Sequence, residues 1–390
     1  MFSQNIRLKK ILNKTKLKNK AIFLKKILAD KKIIENYPLL ESLTNKFKYS
    51  YDKKIINKYK KFKFFNIIGM GGSILGSETI YDFLKFKIKK EFTFIDNLQT
   101  DKLNNIKKNS LNIIISKSGN TLETITNLNI ILSKHKNKNI IITENKHNYL
   151  RHISKKLACE IFDHKDYIGG RYSVLSEVGM LPAELMGLNE NKFKKFNSLI
   201  KNKKFIDSLI NNILFIYDQV KSGKKNSIIL NYDEASNNLF KWYQQLTAES
   251  LGKKNKGILP TISTMPKDNH SLMQLYLDGP KNCFFTFFSV RNKKPNKIDN
   301  SKLFEKFQMI KNSDVSKILL AQKRATENVF LKKNIPFRSF EIMNRKEETL
   351  GELFAFFILE TILLGKLLKI DPFNQPAVDQ IKIETKKILK

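Results

Sequence analysis

Short apolar runs that alternate with loops and amphipathic helices constrain the fold of this chain more than any other feature of its sequence. Four such runs read as buried strands, at residues 64–68, 92–95, 111–115 and 139–142. Helices are predicted after the first run, to Leu84, and after the third, to about Leu132. This order demands crossover helices on both faces of a parallel sheet. Ligands of such sheets bind at the carboxyl ends of the strands, so the loops there are candidate sites.

The second half of the chain repeats these signals from about residue 222. Residues 227–230, 283–290 and 336–342 read as strands, and residues 237–250 as a helix. The length of 390 residues exceeds one ordinary core. We predict an α/β fold of two domains with parallel sheets flanked by helices. The predicted division is a helical N-terminal segment (1–60), a first domain (61–220), a second domain (221–345) and a helical C-terminal segment (346–390) that packs back on the site.

The formal net charge of +36 raises the question of a nucleic-acid partner. Lys and Arg total 72, but only seven are Arg, and the lysines are spread over every segment of the sequence. Specific nucleic-acid sites usually rely on the Arg fork. Abundant Lys, Asn and Ile are also typical of an AT-rich coding bias. We therefore expect no nucleic-acid partner, although a general positive field would attract a phosphorylated ligand.

Neither secretion nor membrane insertion is favoured. Cys159 and Cys283 share no metal spacing and read as buried free thiols in a reducing compartment. The apolar runs of the basic N-terminus are too short for a signal-peptide core. Residues 350–368 are apolar, but two acids and a lysine interrupt them, and such charges are costly in a bilayer. A buried helix, for example at a subunit interface, is the better interpretation, and we predict a cytoplasmic location.

The loop at residues 116–121, Ser-Lys-Ser-Gly-Asn-Thr, follows a buried strand and opens a helix. Free backbone N–H groups and the positive helix end meet at such a place. Gly119 lets the backbone approach a ligand, and Ser116, Ser118 and Thr121 add hydroxyl groups. A phosphate monoester, with a charge of about −1.5 to −2, fits this loop. An ordinary capped helix is the alternative.

The Gly-rich turn at residues 69–73 has two interpretations. It resembles the start of a dinucleotide-binding fingerprint, and Asp96 ends the next strand where a ribose-binding acid belongs. The third glycine is missing, however, because position 74 is Ile. Alternatively, Gly72 and Ser73 add donors to the same phosphate pocket.

Arg171 follows Gly169-Gly170 in a chain that otherwise uses Lys for positive charge. Two glycines allow a sharp turn that brings the guanidinium close to a ligand, in a geometry that only the Arg fork supplies. A structural ion pair is the alternative.

Gln245 and Glu249 lie four residues apart on one predicted helix face, just before the Gly that ends the helix. A carboxylate at a helix end that faces a cleft is a plausible base, although exposed helical Glu is commoner. His270 is the only His in the second half of the chain, and a lone His is more often structural than catalytic.

Together these segments resemble the glucose-6-phosphate isomerase family, in the same chain order. The resemblance spans about residues 60–385 and rests on six segments. They are Gly-Gly-Ser at 71–73, Ser-Lys-Ser-Gly-Asn-Thr at 116–121, Gly-Gly-Arg-Tyr-Ser at 169–173, Ala-Glu-Ser-Leu-Gly-Lys at 248–253, His270, and Phe-Asn-Gln-Pro-Ala-Val-Asp-Gln-Ile-Lys at 373–382.

The resemblance implies two sugar-isomerase (SIS) domains, a homodimer, and interconversion of glucose and fructose 6-phosphates in glycolysis and gluconeogenesis without a metal or cofactor. Glu249 would move a proton between C2 and C1 through a cis-enediol intermediate, and Arg171 would stabilise the developing charge. His270, from the partner subunit, and Lys382 would open the sugar ring. The residues implied to bind substrate are Gly72, Ser73, Ser116, Lys117, Ser118 and Thr121 at the phosphate, and Gln245 and Gln375 at the sugar hydroxyls.

Some positions depart from the family pattern, and three alternatives stay open. Glu177 stands where relatives usually have a small residue, and Ala377 and Asp379 replace the more frequent Gly and Glu. An isomerase that also accepts mannose 6-phosphate would share the fold and the base. A non-catalytic SIS module would need the phosphate loop but not the catalytic set. A dinucleotide-dependent oxidoreductase is weakened by Ile74 and by the unrelated second half.

Overall fold

A computed structural model describes residues 3–10, 17–98, 100–291, 296–303 and 305–389 of the chain. Ten described strands form two five-stranded sheets. The strands are β1 Ile6–Lys10, β2 Phe64–Gly69, β3 Glu91–Ile95, β4 Leu111–Ile115, β5 Lys138–Glu144, β6 Glu160–His164, β7 Asn226–Asn231, β8 Leu259–Thr264, β9 Cys283–Val290 and β10 Phe337–Ile342.

Helices cover both sheets, as the alternating sequence pattern predicts. The described helices are α1 Lys18–Ala29, α2 Ile33–Asn36, α3 Lys53–Tyr59, α4 Leu75–Leu84, α5 Thr100–Asn104, α6 Leu122–Lys134, α7 Tyr149–Lys156, α8 Glu177–Leu185, α9 Phe196–Leu199, α10 Lys203–Lys221, α11 Asn237–Leu251, α12 Met273–Asp278, α13 Val315–Lys332, α14 Glu347–Leu368 and α15 Val378–Ile388.

The first sheet has the strand order β3-β2-β4-β5-β6 and is parallel throughout. Its central strand β4 is buried along its whole length, which explains the unbroken apolar run of its sequence. The chain leaves β2 toward β3 on one side and returns to β4 on the other. The topological switch point, where ligands of such sheets bind, therefore lies between the carboxyl ends of β2 and β4.

The second sheet has the order β1-β10-β9-β7-β8, in which β1 is antiparallel to β10 and the other pairs are parallel. The predicted strands of both sheets are confirmed within one or two residues. Edge strands β6 and β8 were not predicted, because neither is buried along its whole length and neither has a continuous apolar run.

The prediction of helices throughout residues 1–60 is wrong at Ile6–Lys10, which form an edge strand of the second sheet. Its partner β10 lies more than 320 residues further along the chain, so no local pattern could reveal the pairing. Two polar residues secure the segment: Ser3 Oγ and Asn5 Nδ2 donate to the Glu352 carboxylate, at 2.6 and 2.9 Å.

Helix α14 confirms the predicted buried helix, and the same chain buries it, not a subunit interface. The two acids that interrupt its apolar stretch are tolerated because both have partners: besides the two donors to Glu352, Tyr243 Oη donates to Glu360 Oε1 at 2.7 Å, and Arg338 forms an ion pair with Glu360. In the described part of the chain no helix has the length and apolar character needed to cross a membrane. Cys159 and Cys283 are free thiols but only half-buried, contrary to the expectation.

Candidate active site

The two predicted ligand loops meet at the switch point between β2 and β4. Gly69 ends β2, and a Cβ there would lie 2.9 Å from the carbonyl oxygen of Ile115, the last residue of β4. Beyond β4, the hydroxyl groups of Ser116 and Thr121 lie 2.9 Å apart. No side chain caps the N-terminus of α4 or of α6, so backbone N–H groups of both first turns remain free of a side-chain acceptor. These N–H groups and hydroxyls together make the two loops a candidate anion site.

Lys117, a predicted phosphate ligand, has other partners in this structure. Its Nζ lies 3.3 Å from Glu144 Oε1 and donates to the Asp166 carbonyl at 2.7 Å. Ser118 is exposed, and its Oγ accepts from the Asn120 N–H at 3.3 Å. The structure therefore brings together the hydroxyl groups, glycines and helix ends of the predicted site. The Lys117 ammonium instead contacts Glu144 and the Asp166 carbonyl.

The Gly-rich turn packs directly on the segment that carries Arg171. A Cβ on Gly72 would lie 2.3 Å from the carbonyl carbon of Gly170, so only glycine permits this approach. Ser173 Oγ donates to the Gly170 carbonyl at 2.7 Å and holds the 3-10 turn Gly170–Leu175 in place. Close packing of the two glycine segments thus brings Arg171 to the carboxyl edge of the first sheet.

The Arg171 side chain is 2% exposed, and it uses all five of its N–H groups. Nε donates to Ser250 Oγ at 2.7 Å. Nη1 donates to Glu249 Oε1 at 2.9 Å and to Gln375 Oε1 at 2.6 Å. Nη2 donates to the Pro372 and Asn374 carbonyls at 2.7 and 3.3 Å. One guanidinium therefore ties helix α11 to the turn that follows α14.

The Glu249 side chain is 22% exposed at the rim of this arrangement. While Oε1 faces Arg171, Oε2 accepts from Gln245 Nε2 at 2.9 Å. The same Nε2 would lie 2.8 Å from a Cβ on Gly71, whose φ of +52° also favours glycine. Gln245 Oε1 is buried without a hydrogen-bond partner in this structure. Both carboxylate oxygens are thus held by hydrogen bonds while the side chain stays partly exposed.

Sequence reasoning missed three residues that hold Arg171. Tyr172 Oη lies 2.8 Å from Ser250 Oγ and donates to the Pro372 carbonyl at 3.0 Å. Trp242, the only Trp of the chain, donates from Nε1 to the Arg171 carbonyl at 3.2 Å. Tyr172 directly follows Arg171 in the sequence, and Ser250 directly follows Glu249. Their position beside these two residues was the sequence signal that could have identified them.

Two buried charged residues, Lys194 and Glu177, hold the turn that carries Arg171 in place. The Lys194 ammonium donates to the carbonyls of Ser42 and Leu175, and Leu175 is the last residue of that turn. Burial lowers the pKa of Lys194 to about 7. Glu177 lies close enough for its charge and that of Lys194 to act on each other; its Oε1 accepts from the Lys165 N–H at 3.0 Å, and burial raises the pKa of Glu177. Lys194 thus bonds to the last residue of the Arg171 turn, and Glu177 bonds to the backbone that precedes this turn.

The structure does not bring His270 or Lys382 to Glu249 within one chain. His270 is exposed at the end of a 3-10 turn beyond β8, at the edge of the second sheet. Lys382 lies on exposed α15 and pairs with Asp379 Oδ1 at 3.0 Å. Gln375, in contrast, contacts Arg171 as described. Among the described residues no group of three His, Cys, Asp or Glu side chains is placed to hold a metal ion.

Comparison with known proteins shows the family of this chain. A family profile described as phosphoglucose isomerase matches residues 41–264. A glucose-6-phosphate isomerase of Methanocaldococcus jannaschii is 34% identical over 354 residues, covering 85% of this chain and 86% of that protein.

Solved structures share the fold. A glucose-6-phosphate isomerase from Chlamydia trachomatis superposes with a TM-score of 0.77 at 16% identity, covering 99% of this chain and 89% of that one. A tagatose-6-phosphate ketose/aldose isomerase from Escherichia coli gives a TM-score of 0.51 at 11% identity, covering 92% and 94%. The fold is that of the α/β sugar-phosphate isomerases with SIS-type sheets. Within that class, the chain belongs to the phosphoglucose isomerase family.

Proposed function

We propose that this chain interconverts glucose 6-phosphate and fructose 6-phosphate, with Glu249 as the base that moves a proton between C2 and C1. The observation that carries the proposal is the Glu249 carboxylate, oriented by Arg171 and Gln245 and still open to a ligand. Proton abstraction next to a carbonyl needs a positioned base and a fixed positive charge for the oxyanion that forms. General acid–base catalysis of this kind is worth about 10² to 10⁴ in rate.

The phosphate of the substrate would bind at the switch point. Backbone N–H groups at the starts of α4 and α6, together with the hydroxyls of Ser73, Ser116, Ser118 and Thr121, supply neutral donors and two positive helix ends. Gly72 allows the backbone to come close. Lys117 would act through its charge, since its ammonium already bonds to Glu144 and Asp166.

Arg171 would stabilise the enediolate without leaving its place. Its five N–H groups are used, so its positive charge is fixed in advance and the oxyanion gains from it without a rearrangement. Gln375 shares Nη1 with Glu249, and Gln245 presents a buried, unpartnered Oε1. Both amides are suited to orient sugar hydroxyls.

Ring opening would need His270 and Lys382. Because neither contacts Glu249 within one chain, we propose a homodimer in which His270 comes from the partner subunit. A cytoplasmic location is part of the same proposal, as are roles in glycolysis and gluconeogenesis.

The test is conversion of fructose 6-phosphate to glucose 6-phosphate by purified protein, with mannose 6-phosphate assayed in parallel. Glu249→Gln should lower kcat by at least about 10³-fold while fructose 6-phosphate still binds in a calorimetric titration. Glu234→Gln, an exposed Glu just before the same helix, is the matched control and should stay fully active. Binding without turnover by the wild-type dimer would favour a non-catalytic sugar-phosphate module, and equal activity on mannose 6-phosphate would favour the bifunctional isomerase.

A further inference from the structure

Lysines that are scattered along the sequence converge at the amino edge of the first sheet. The segments just before β2, β3, β4, β5 and β6 carry eleven of them, exposed except for half-buried Lys90. We call these the amino-edge lysines: Lys60, Lys61, Lys63, Lys89, Lys90, Lys107, Lys108, Lys136, Lys138, Lys155 and Lys156. Lysines dispersed along the sequence speak against a nucleic-acid partner, but the fold brings these eleven together.

Strand register places these lysines side by side. Phe64 at the start of β2 pairs with Glu91 at the start of β3, and Leu111 at the start of β4 pairs with Lys138 at the start of β5. Adjacent strands lie 4.7–4.9 Å apart, so the five starts span about 19 Å. The lysines therefore line one continuous edge.

The amino edge is also internally braced. Asn66, Asn112 and Asn139 are buried and in register on adjacent strands, and each amide donates to the next at 2.8 and 2.9 Å. Ser110 accepts from Asn66 and from Asn137, at 2.7 Å in both cases. This ladder fixes the starts of three strands relative to one another, so the lysines project from a rigid platform.

The charge of this edge is not compensated. In the described part of the chain none of the amino-edge lysines forms an ion pair, and the same segments carry only two acids, Glu91 and Glu160. Burial and then the charge of Lys60 lower the pKa of Lys90. At the opposite, carboxyl edge, the loops after the five strands hold three lysines, Arg171 and two acids, Asp96 and Asp166, and a third acid, Glu144, ends β5. Lys155 and Lys156 lie in the last turn of α7, where the helix dipole favours a positive charge. The lysines that directly precede the strands have no such explanation.

We propose that the amino edge of the first sheet binds the phosphate backbone of nucleic acid without reading its sequence. Lysine is a point charge that suits phosphate, and the edge offers no Arg fork for base recognition. A lipid surface fits less well, because the segments that carry the amino-edge lysines expose no large apolar side chain that would insert as a second anchor. The nearest one along the chain, Phe86, lies in a turn whose Lys87 pairs with Glu347 of α14.

Geometry separates this surface from catalysis. The candidate active site lies at the carboxyl ends of the same strands, so nucleic acid at the amino edge leaves the sugar-phosphate loops open. The proposal therefore does not depend on the proposed function, and variants at this edge should keep isomerase turnover.

The test measures fluorescence anisotropy of a labelled RNA duplex of about 24 base pairs between about 50 and 200 mM salt. One variant carries Lys63→Glu, Lys89→Glu, Lys108→Glu and Lys136→Glu. The control carries the same charge change at exposed lysines elsewhere: Lys26→Glu, Lys31→Glu, Lys48→Glu and Lys386→Glu. We expect the amino-edge variant to bind at least about 100-fold more weakly, with a salt slope reduced by about four, while the control changes less than about threefold.

Equal losses in the two variants would overturn the proposal, because they would show that net charge alone attracts RNA. Tighter binding to vesicles of anionic phospholipid than to RNA, with the same dependence on the amino-edge lysines, would also overturn it and assign the edge to a membrane surface. Thermal unfolding and isomerase turnover verify that both variants are folded. If the Glu variant does not fold, the same four positions changed to Gln carry the test, with an expected loss of at least about tenfold.

Discussion

The guanidinium of Arg171 lies 2.9 Å from the Glu249 carboxylate, and its remaining N–H groups are held by Ser250, Gln375 and two backbone carbonyls. A cation with every donor occupied cannot rotate toward a substrate without losing bonds. It acts instead as a fixed charge beside the base, and it joins three separate segments of the chain at that point.

The substitution Arg171→Lys should therefore lower kcat strongly, although it keeps the positive charge. Lys has three donors and no fork, so at least two of the five acceptors lose their partner and Glu249 loses its orientation. We expect kcat to fall by about 10² to 10³ with a smaller change in KM, measured by steady-state kinetics. Arg324→Lys, at an exposed position, is the control. Near-normal kcat in Arg171→Lys would contradict the fixed-charge role.

Lys194 should be a positioning residue for the turn that carries Arg171. Lys194→Met leaves the buried carbonyls of Ser42 and Leu175 without a donor, which should cost about 2–4 kcal/mol in urea unfolding. We expect kcat to fall about tenfold with KM nearly unchanged, because the turn loosens while the phosphate loops remain. In a double-mutant cycle of Lys194→Met with Glu177→Gln, the two changes in the free energy of unfolding should deviate from additivity by about 1 kcal/mol or more. Additive effects with unchanged kcat would limit Lys194 to general stability.

Because of Glu78, the free energy of unfolding should fall as pH rises from about 5 to 7. Burial, followed by the charge of Asp96, raises the pKa of this carboxyl to about 7, and its Oε2 is buried without a partner. Between the unfolded pKa of 4.5 and this value the folded chain binds more protons at Glu78 than the unfolded one. The stabilisation that comes from this proton is therefore lost as pH rises. Glu78→Gln should be more stable than wild type by about 1–2 kcal/mol at pH 8 and equal at pH 5. The control is Glu91→Gln, and a pH-independent difference for Glu78→Gln would refute the assignment.

The N-terminal strand should be required for stability although it lies far from the site. Deletion of residues 1–10 uncovers the edge of β10 and leaves the Glu352 carboxylate, 7% exposed, without its Ser3 and Asn5 donors. We expect a loss of about 3 kcal/mol or more in urea unfolding, and aggregates in light scattering. A Ser3→Ala, Asn5→Ala double variant keeps the strand and should lose stability without aggregating. Unchanged unfolding midpoints in both would contradict the pairing.

A mixing experiment tests whether His270 acts across a dimer. Glu249→Gln and His270→Ala proteins should each be inactive, and a heterodimer of the two would hold one intact site if His270 comes from the partner. Random reassortment of the chains should then restore about a quarter of wild-type turnover. No recovery in a reassorted sample, with heterodimers detected by native mass spectrometry, would place His270 in the same chain as its Glu249 or outside the mechanism.

Local sequence signals determined most of the scaffold. The buried runs of β2 and β4, the Gly-rich turn and the Ser-Thr loop depend on neighbours within a few residues, so their elements could be predicted closely. Arg171, Glu249 and Gln245 could be named for the same reason, since each stands in a short motif with its own turn or helix chemistry. The family resemblance then implied their roles.

Tertiary structure alone decided which groups meet. Residues 6–10 pair with β10, Lys117 bonds to Glu144 and Asp166, and the guanidinium of Arg171 finds acceptors on α11 and after α14. The amino-edge lysines likewise become one surface only when parallel strands align their starts. Contacts of this kind join residues tens to hundreds of positions apart, and strand register and packing fix them, whereas hydrophobic periodicity reports only on near neighbours.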